Sequence, residues 1–238
     1  MALRVVPITP PSRTLQFLRQ IVSSYEADAS AFFVSQLPGL SSWESAWREL
    51  VYCILAGTQV KAEIAHRAFD TLMSFPEGLP SYSEIKQKPR VYRPRLGSAL
   101  TDAGYRYPKS KAATIVHAAR VFPEIVELYD EVFLLDPVEV RDLLVNRVEG
   151  IGLKIASHWV RNLGFPLPVI DVHVRRVLTW QGLLDPAFAK DQVSPRGYRL
   201  AESLLLNLAV AIAIPPAVLE YALWRYGREN GSLKLAFG

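Results

Sequence analysis

The sequence predicts an all-α fold, and three observations support that class. Apolar residues recur at helical spacing through most of the 238 residues. Serine, aspartate and proline stand where helices begin, and glycines stand where helices end. We find no convincing run in which apolar and polar residues alternate, as they do in a half-buried strand.

Four segments carry the helix prediction in chain order. SSWESAWRELVYCILAG, residues 41–57, opens with serine caps and ends at a glycine. SKAATIVHAARVF, residues 110–122, places four apolar side chains on one face, and VEVRDLLVNRV follows Asp136-Pro137, an N-cap with proline at N1. LLLNLAVAIAI, residues 204–214, predicts a buried helix that Pro215-Pro216 ends. Connections are predicted at residues 76–80, 88–96, 105–108, 164–171 and 192–197.

The composition narrows the class of function. Half of the residues are apolar, enough for one large domain or two small lobes. A net charge of +4 permits a polyanion as partner without demanding one. Basic residues gather at several places, Arg90 and Arg93 among them, although such a cluster is usually a solvated face.

The chain has one cysteine, Cys53. A single cysteine excludes an internal disulfide, a four-cysteine iron–sulfur cluster and a cysteine-built zinc site, so we expect no metal and no cofactor. No apolar stretch is long enough to span a membrane, and prolines interrupt the N-terminus where a signal peptide needs an apolar core. We therefore expect a cytoplasmic protein.

A Gly-x-Gly turn joins two of the predicted helices, in the segment VEVRDLLVNRV-EGIG-LKIASHWVRNLG. Gly150 and Gly152 permit positive φ and a close approach to another molecule. The amides of the turn and of the first turn of the following helix are expected to point outward without partners, which suits a phosphate oxygen. A plain αα-hairpin with a glycine turn is the alternative.

The second helix of this hairpin is expected to have an apolar face and a basic face. The predicted buried residues are Ile155, Ala156, Trp159, Val160 and Leu163. Lys154, His158 and Arg161 follow i, i+4, i+7 and are expected to form an exposed basic row. The pattern favours a helix-hairpin-helix that grips a nucleic-acid backbone without reading bases.

Lys154 and Asp171 raise the prospect of catalysis. A lysine becomes nucleophilic only when it releases its proton, and a helix N-terminus with His158 and Arg161 nearby would favour that release. Asp171 precedes VHVRRVL at an N-cap position. Capping and catalysis are compatible, because a cap fixes the direction of the carboxylate.

These residues resemble a known family. EGIGLKIASHWVRNLG with PVIDVHV resembles the helix-hairpin-helix, Gly/Pro and Asp signature of base-excision DNA glycosylases. The resemblance implies that Lys154 is the catalytic lysine of the bifunctional members and Asp171 their essential aspartate. ELVYCILAGTQVKAEIAHRAF, GYRYPKSKAATIVHAARVF and LEYALWRYGR are most similar to the compact 8-oxoguanine glycosylase/AP lyase family common in archaea and some bacteria.

The resemblance also implies an organisation and a partner. Residues 1–57 and 165–238 would form one discontinuous helical lobe. Residues 58–164 would form a central helical barrel ending in the helix-hairpin-helix at about 138–164, with the active site in the cleft between lobes. The partner would be double-stranded DNA containing a damaged base, bound by a monomer, nucleoid-associated in a prokaryote.

Further roles follow from the resemblance alone. Gln59, with Thr58 as second choice, would fill the hole that the extruded nucleotide leaves. Trp224 would stack on the extruded base, while Glu220 would accept hydrogen bonds from it. Contacts with the DNA backbone would come from Gly150, Gly152, His158, His173, Arg175, Lys109 and Lys111.

The chain departs from the compact family at its C-terminal end. Members of that family end in a lysine soon after the tryptophan, whereas neither Lys234 nor Gly238 matches that terminal lysine cleanly. Three alternatives therefore stay open: a glycosylase/lyase for another oxidised base, a non-catalytic helix-hairpin-helix DNA-binding protein, and an all-α interaction protein unrelated to nucleic acid.

Overall fold

The structure, a computed structural model, describes residues 10–36, 42–57, 60–132, 136–190 and 192–231. All regular elements in this part of the chain are helical, and no strand occurs there, which confirms the predicted all-α class. A 3₁₀ turn at Pro186–Ala189 lies between the ninth and tenth of the α-helices. In chain order the α-helices are α1 (Ser12–Gln36), α2 (Trp43–Leu55), α3 (Ala62–Met73), α4 (Tyr82–Gln87), α5 (Pro89–Asp102), α6 (Pro108–Val132), α7 (Pro137–Arg147), α8 (Leu153–Asn162), α9 (Val172–Trp180), α10 (Pro195–Ile212) and α11 (Pro216–Glu229).

The predicted capping residues begin their helices. The Ser42 hydroxyl accepts from the Ser45 amide at the start of α2, and the Asp136 carboxylate accepts from the Val138 amide at the start of α7. Each satisfies one of the donors that a helix N-terminus leaves unpaired. Helix α10 ends at its C-cap Ala213, which has a left-handed backbone with φ 58°, and the next helix begins at Pro216.

One predicted connection is wrong. Residues 88–96 were expected to form a connection between helices, but most of them form the first half of α5. Pro89 occupies the first turn, where its missing N–H is not needed, so it begins the helix. Pro94 is accommodated inside the helix.

The chain divides into two compact units. One unit contains Met1–Gln36 and Pro166–Gly238, and the other contains Leu37–Phe165. We call the second the central unit and the first the terminal unit, each by its described residues. The N-terminal boundary differs from the expected one at residue 57, because α2 packs on α3, α6 and α8 and so belongs to the central unit.

Aromatic residues form the core of the central unit. The ring of Phe122 lies 5.3 Å from Trp47, 4.9 Å from Tyr82 and 6.2 Å from Trp159 between centroids. Trp159 donates its indole N–H to the Ala46 carbonyl at 2.8 Å, which ties α8 to α2. Because both tryptophans are fully buried, α8 is held rigidly on its apolar side.

In the terminal unit, α11 packs against α1 and α9. Phe17 and Tyr226 meet edge to face at 5.5 Å, and the Tyr25 hydroxyl donates to the Glu229 carboxylate. Gly227 lets α9 approach closely, since a Cβ there would lie 2.7 Å from the His173 carbonyl oxygen.

No single helix in the described ranges has the length and hydropathy to cross a membrane. Among the described helices, only α10 and α11 taken together have that length and hydropathy, and they are bent by 108° relative to each other.

Candidate functional site

The turn between α7 and α8 has the backbone that its glycines predict. Gly150 has φ +85°, a left-handed conformation that favours glycine, whereas Gly152 is the extended N-cap of α8 at φ −101°. Gly164 ends α8 with φ +94°. The Gly164 and Phe165 amides bond back to the carbonyls of Arg161 and Val160.

Several amides of this turn are available to an anion. The Ile151 amide bonds to the Val148 carbonyl, and the Glu149 amide donates to His117 Nδ1 at 2.8 Å. By contrast, no described residue accepts a hydrogen bond from the amides of Gly150, Gly152 or Leu153. These three amides therefore lack an acceptor among the described residues, as expected, whereas the amides of Glu149 and Ile151 do not.

The turn rests directly on α6. A Cβ built at Gly150 would lie 2.3 Å from Thr114 Oγ1 and 3.3 Å from Thr114 Cγ2. Nothing lies within 4 Å of a Cβ built at Gly152. Only the first glycine is therefore required by the protein's own packing, while the second leaves open space at the start of α8.

Lys154 lies half-buried on the first turn of α8, near a second lysine. Lys111, from α6, is also half-buried, and its Nζ would lie 3.0 Å from a Cβ built at Gly57. Burial lowers the pKa of Lys111, and the positive charge of Lys154 lowers this pKa further. The two ammonium groups therefore repel each other across a partly buried space, which favours loss of the proton from Lys111.

The expected exposed basic row on α8 is wrong. Arg161 is buried, and its Nε and Nη2 both donate to Asn162 Oδ1 at 3.1 Å. Asn162 in turn donates to the Glu49 carboxylate of α2. Helical periodicity does not reveal such internal acceptors, so Arg161 was placed on the surface when it belongs to the interface between α8 and α2.

His158 is a neutral, half-buried ring. It packs against Tyr52 with ring centroids 6.2 Å apart. Burial, together with the positive charges of Arg161 and Lys154, holds the pKa of His158 well below its usual range. At pH 7 it therefore carries no charge for a phosphate, contrary to its expected role as a basic contact with the DNA backbone.

Cys53 lies beneath the same part of α8 and is inert. Its side chain is fully buried and faces Glu49. Burial raises the pKa of the Cys53 thiol well above its usual range, so no thiolate nucleophile is available there. Lys154 is thus the nucleophile candidate of this cluster.

Asp171 caps α9 in the terminal unit. Its Oδ1 accepts from the amides of His173 at 2.8 Å and Val174 at 3.0 Å, and the residue is 9% exposed. Within the described part of the chain, no donor reaches the second carboxylate oxygen, Oδ2. One oxygen is therefore fixed by the helix, and the other keeps its lone pairs for a different partner.

Arg175, an expected contact with the DNA backbone, is instead a structural residue. It is buried, and its Nη1 donates to the carbonyls of Phe188 and Lys190, holding the 3₁₀ turn against α9. His173 is half-buried with its Nδ1 enclosed, so this nitrogen does not face solvent. Sequence periodicity indicated neither burial.

The expected base-recognition residues lie one turn apart on α11. Trp224 is half-buried, with the Tyr221 ring 5.8 Å away and the Arg228 guanidinium 5.5 Å from its ring centroid. Glu220 is 3% exposed. The tryptophan therefore offers part of its ring, while the carboxylate lies inside the terminal unit.

Of the remaining residues with an expected role, some lie in the described part of the chain and others do not. Lys109 is exposed at the start of α6. Thr58, Gln59, Lys234 and Gly238 lie outside the described residues, as do the roles expected of them. Within the described ranges, no three His, Cys, Asp or Glu side chains gather closely enough to hold a metal ion.

Comparison with known proteins identifies related chains. The profile described as 8-oxoguanine DNA glycosylase matches residues 34–214. The chain is 31% identical over 185 residues to the 8-oxoguanine DNA glycosylase/AP lyase of Metallosphaera sedula, covering 76% of this chain and 81% of that protein. It is 30% identical over 182 residues to the protein of the same name from Korarchaeum cryptofilum, covering 76% and 79%.

Solved structures share the fold. The 8-oxoguanine DNA glycosylase of Thermotoga maritima superposes with a TM-score of 0.69 at 25% identity, covering 90% of this chain and 95% of that one. An 8-oxoguanine glycosylase/lyase of Methanocaldococcus jannaschii, crystallised with a 15mer DNA containing 8-oxoguanine, superposes with a TM-score of 0.68 at 22% identity, covering 89% and 96%. At that identity the second likeness concerns the fold alone.

Proposed function

The chain belongs to the 8-oxoguanine DNA glycosylase family, and on that premise we propose that it excises 8-oxoguanine from DNA and then cuts the strand as an AP lyase. The observation that carries the proposal is the position of Lys154. A half-buried amine stands on the first turn of α8, two residues after a glycine whose amide has no described acceptor. Retention of both Lys154 and Asp171 argues against a purely DNA-binding role.

The hairpin turn holds the DNA by its backbone. The amides of Gly150, Gly152 and Leu153 donate to a phosphate oxygen, and the N-terminal end of α8 adds its partial positive charge. These donors carry no base-specific pattern, so the grip is independent of sequence. Lys109, exposed at the start of α6, adds a phosphate contact. Gln59, with Thr58 as the second choice, fills the space left when the damaged nucleotide is extruded, and that extrusion costs a few kcal/mol.

Chemistry begins at Lys154. Its neutral Nζ forms a bond to C1′ of the sugar as the bond from C1′ to N9 of the base breaks, and the departing base takes a proton from water. Nζ then loses a proton, and the C1′–O4′ bond breaks as O4′ takes a proton from water, which opens the sugar ring and gives a protonated imine. That imine acidifies C2′, and loss of a C2′ proton breaks the C3′–O3′ bond. Water then hydrolyses the imine and releases Lys154.

Asp171 assists at the first step. The sugar gains positive charge as the base departs, and a carboxylate directed at it lowers the energy of that transition state. The cap on α9 supports this role, because it fixes Oδ1 and leaves Oδ2 available. Trp224 stacks on the extruded base and Glu220 accepts hydrogen bonds from it.

Borohydride trapping tests the covalent course. We expect wild-type protein to form a covalent adduct with duplex DNA containing 8-oxoguanine when borohydride reduces the imine. Lys154→Gln is expected to abolish the adduct, and Asp171→Asn to slow its formation at least tenfold, about 1.4 kcal/mol of barrier. Lys86→Gln, an exposed lysine on α4, serves as the control and should trap like wild type. An adduct that survives in Lys154→Gln contradicts the assignment.

A panel of lesions tests the identity of the base. Duplexes carrying 8-oxoguanine, an oxidised pyrimidine or another modified purine are incubated opposite each normal base. We expect the highest rate of excision for 8-oxoguanine, with Trp224→Ala reducing excision more than it reduces cleavage of a preformed abasic site. A higher rate for an oxidised pyrimidine assigns the chain to another substrate class.

We expect the protein to act as a monomer in the cytoplasm, at the nucleoid in a prokaryote.

A further inference from the structure

A concave pocket lies beside the hairpin turn, entirely within the central unit. Its volume is about 410 Å³, and its walls come from α5, α6 and the turn itself. We call it the arginine pocket after the three guanidinium groups that line it. The residues that matter here are Arg90 and Arg93 of α5, Arg120 and His117 of α6, and Glu149 and Gly150 of the turn.

The three arginines outnumber the one described carboxylate that lines the pocket, Glu149. Arg90, Arg93 and Arg120 are exposed, and none of them forms an ion pair with a described residue. Arg95, next to them in sequence, does pair with Glu77 at 3.0 Å and does not line the pocket. Three guanidinium groups around one concavity therefore create a positive potential directed into it.

The pocket and the turn are built on each other. His117 Nδ1 accepts from the Glu149 amide at 2.8 Å, so the neutral imidazole carries its hydrogen on Nε2. Gly150 forms part of the pocket wall, and its amide N–H in the turn has no acceptor among the described residues. An anion held by the turn and one held in the pocket are thus neighbours on one surface.

We infer that the arginine pocket binds a phosphate group of the DNA backbone next to the phosphate held at the hairpin turn. This inference rests on the proposed function, because it takes DNA as the ligand of the turn. Guanidinium groups bind phosphate oxygens in pairs, and each contact releases counterions from the duplex. The pocket would lengthen the stretch of duplex that the central unit grips.

A free nucleotide is the competing source of phosphate, since the volume falls within the range of small-ligand pockets. The lining argues against it. None of the described lining residues is Phe, Tyr or Trp, so a base would have only the His117 ring and the guanidinium planes for stacking. The guanidinium groups cannot stack on a base and bind phosphate oxygens in pairs at the same time, so the pocket suits a sugar-phosphate backbone better than a nucleotide.

Glu149 opposes the anion. Its exposed side chain lines the pocket and forms no ion pair with a described residue. A carboxylate beside a phosphate weakens binding by repulsion, so its removal provides a change of opposite sign to the removal of an arginine.

Binding to undamaged duplex DNA, measured by fluorescence anisotropy over a range of salt concentrations, tests the inference. For Arg90→Gln/Arg93→Gln we expect the slope of log K against log salt to fall in magnitude by about one to two, since each lost phosphate contact removes roughly 0.9. Glu149→Gln should bind more tightly than wild type. Arg48→Gln, an exposed arginine of α2 that faces Glu44, removes one positive charge outside the pocket and should match wild type, whereas Arg90→Gln and Arg93→Gln, each made alone, should each lower the slope.

Two further arms identify the source of the phosphate. For this arm the duplex carries one abasic-site analogue, which fixes the position of the protein. When that duplex is shortened from one end, the affinity ratio between wild type and the double variant should return to one, and shortening from the other end should leave the ratio unchanged. Inorganic phosphate and deoxyadenosine monophosphate are tested by their effect on Tm. Stabilisation of wild type alone, with equal DNA slopes for both proteins, would assign the pocket to a free anion and overturn the inference.

Equal affinities and slopes for wild type and the double variant would also overturn it. Borohydride trapping at saturating protein separates this result from the proposed function. The double variant should still form the adduct, because neither arginine touches the reacting atoms. If wild type fails to trap, the proposed function fails, while the binding data on undamaged duplex still decide the role of the pocket.

Discussion

Replacement of Gly150 by alanine should be the most damaging small change in the hairpin turn. Two independent costs arise from the structure. Alanine at φ +85° lies in the left-handed region, which costs about 1–2 kcal/mol. Its Cβ would also lie 2.3 Å from Thr114 Oγ1, and relief of such an overlap costs roughly 1–3 kcal/mol. We therefore expect Gly150→Ala to lower the free energy of unfolding by about 2–5 kcal/mol.

A second substitution separates the two costs. In a Thr114→Ala background the overlap with the threonine side chain disappears, whereas the left-handed backbone remains. Gly150→Ala should then cost only about 1–2 kcal/mol relative to Thr114→Ala alone. Gly152→Ala is the matched control in the same turn, because its φ is −101° and its Cβ would meet open space. It should cost under about 1 kcal/mol.

Urea unfolding followed by tryptophan fluorescence measures these free energies, and anisotropy on undamaged duplex measures the grip of the turn. Gly150→Ala should weaken DNA binding as the turn shifts, and Thr114→Ala should restore part of it. If Gly150→Ala proves as stable as Gly152→Ala, the described turn is wrong. If the cost is the same with and without Thr114, the close contact with α6 is not what constrains the glycine.

Three more predictions follow from buried charged groups. Lys154→Gln should raise the pKa of Lys111, because the positive charge of Lys154 is one of the two causes that lower that pKa; NMR titration of the lysine side chains measures it, and an unchanged pKa would contradict the proximity of the two lysines. Because the pKa of His158 is depressed in the folded protein, the unfolded chain binds a proton at this residue below pH 6.5 while the folded chain does not. The contribution of His158 to stability is therefore present above pH 6.5 and is lost on acidification. Below that pH, wild type should lose up to about 1.4 kcal/mol of unfolding free energy per pH unit more than His158→Gln, as measured by urea unfolding at several pH values. Arg175→Met should destabilise the terminal unit by about 2–3 kcal/mol, because it removes a buried donor to two carbonyls, and it should leave the salt dependence of DNA binding unchanged. Arg176→Met is the control and should cost under about 1 kcal/mol. Equal losses of the two variants in thermal or urea unfolding would contradict the buried role of Arg175.

The helices were predictable because their signals are local. Ser42, Asp136 and Gly164 stand where the structure begins or ends a helix, and all five residues expected on the apolar side of α8 are buried. Spacing and capping chemistry depend on neighbours within a few positions, so one sequence suffices to read them. The connection expected at residues 88–96 is wrong, because Pro89 occupies N1 of α5, where proline begins a helix.

The polar parts of the site were less predictable. Arg175 looks like a surface residue, but its acceptors are the internal carbonyls of Phe188 and Lys190, which lie 13 and 15 positions further along the chain. The approach of Lys111 to Lys154 joins residues 43 positions apart in sequence. No local pattern encodes such pairings, since they depend on how helices pack.

Helix α8 has a consequence for how distance along DNA is set. Its first residues carry both the open amides at Gly152 and the amine of Lys154, while Trp159 anchors its far half to α2. Under the proposed function, one short, rigid helix therefore holds both the group that binds a phosphate and the amine that attacks a sugar. The distance between that phosphate and that sugar is fixed by the helix and does not depend on the base sequence. Recognition of the damaged base is then the task of residues elsewhere in the chain.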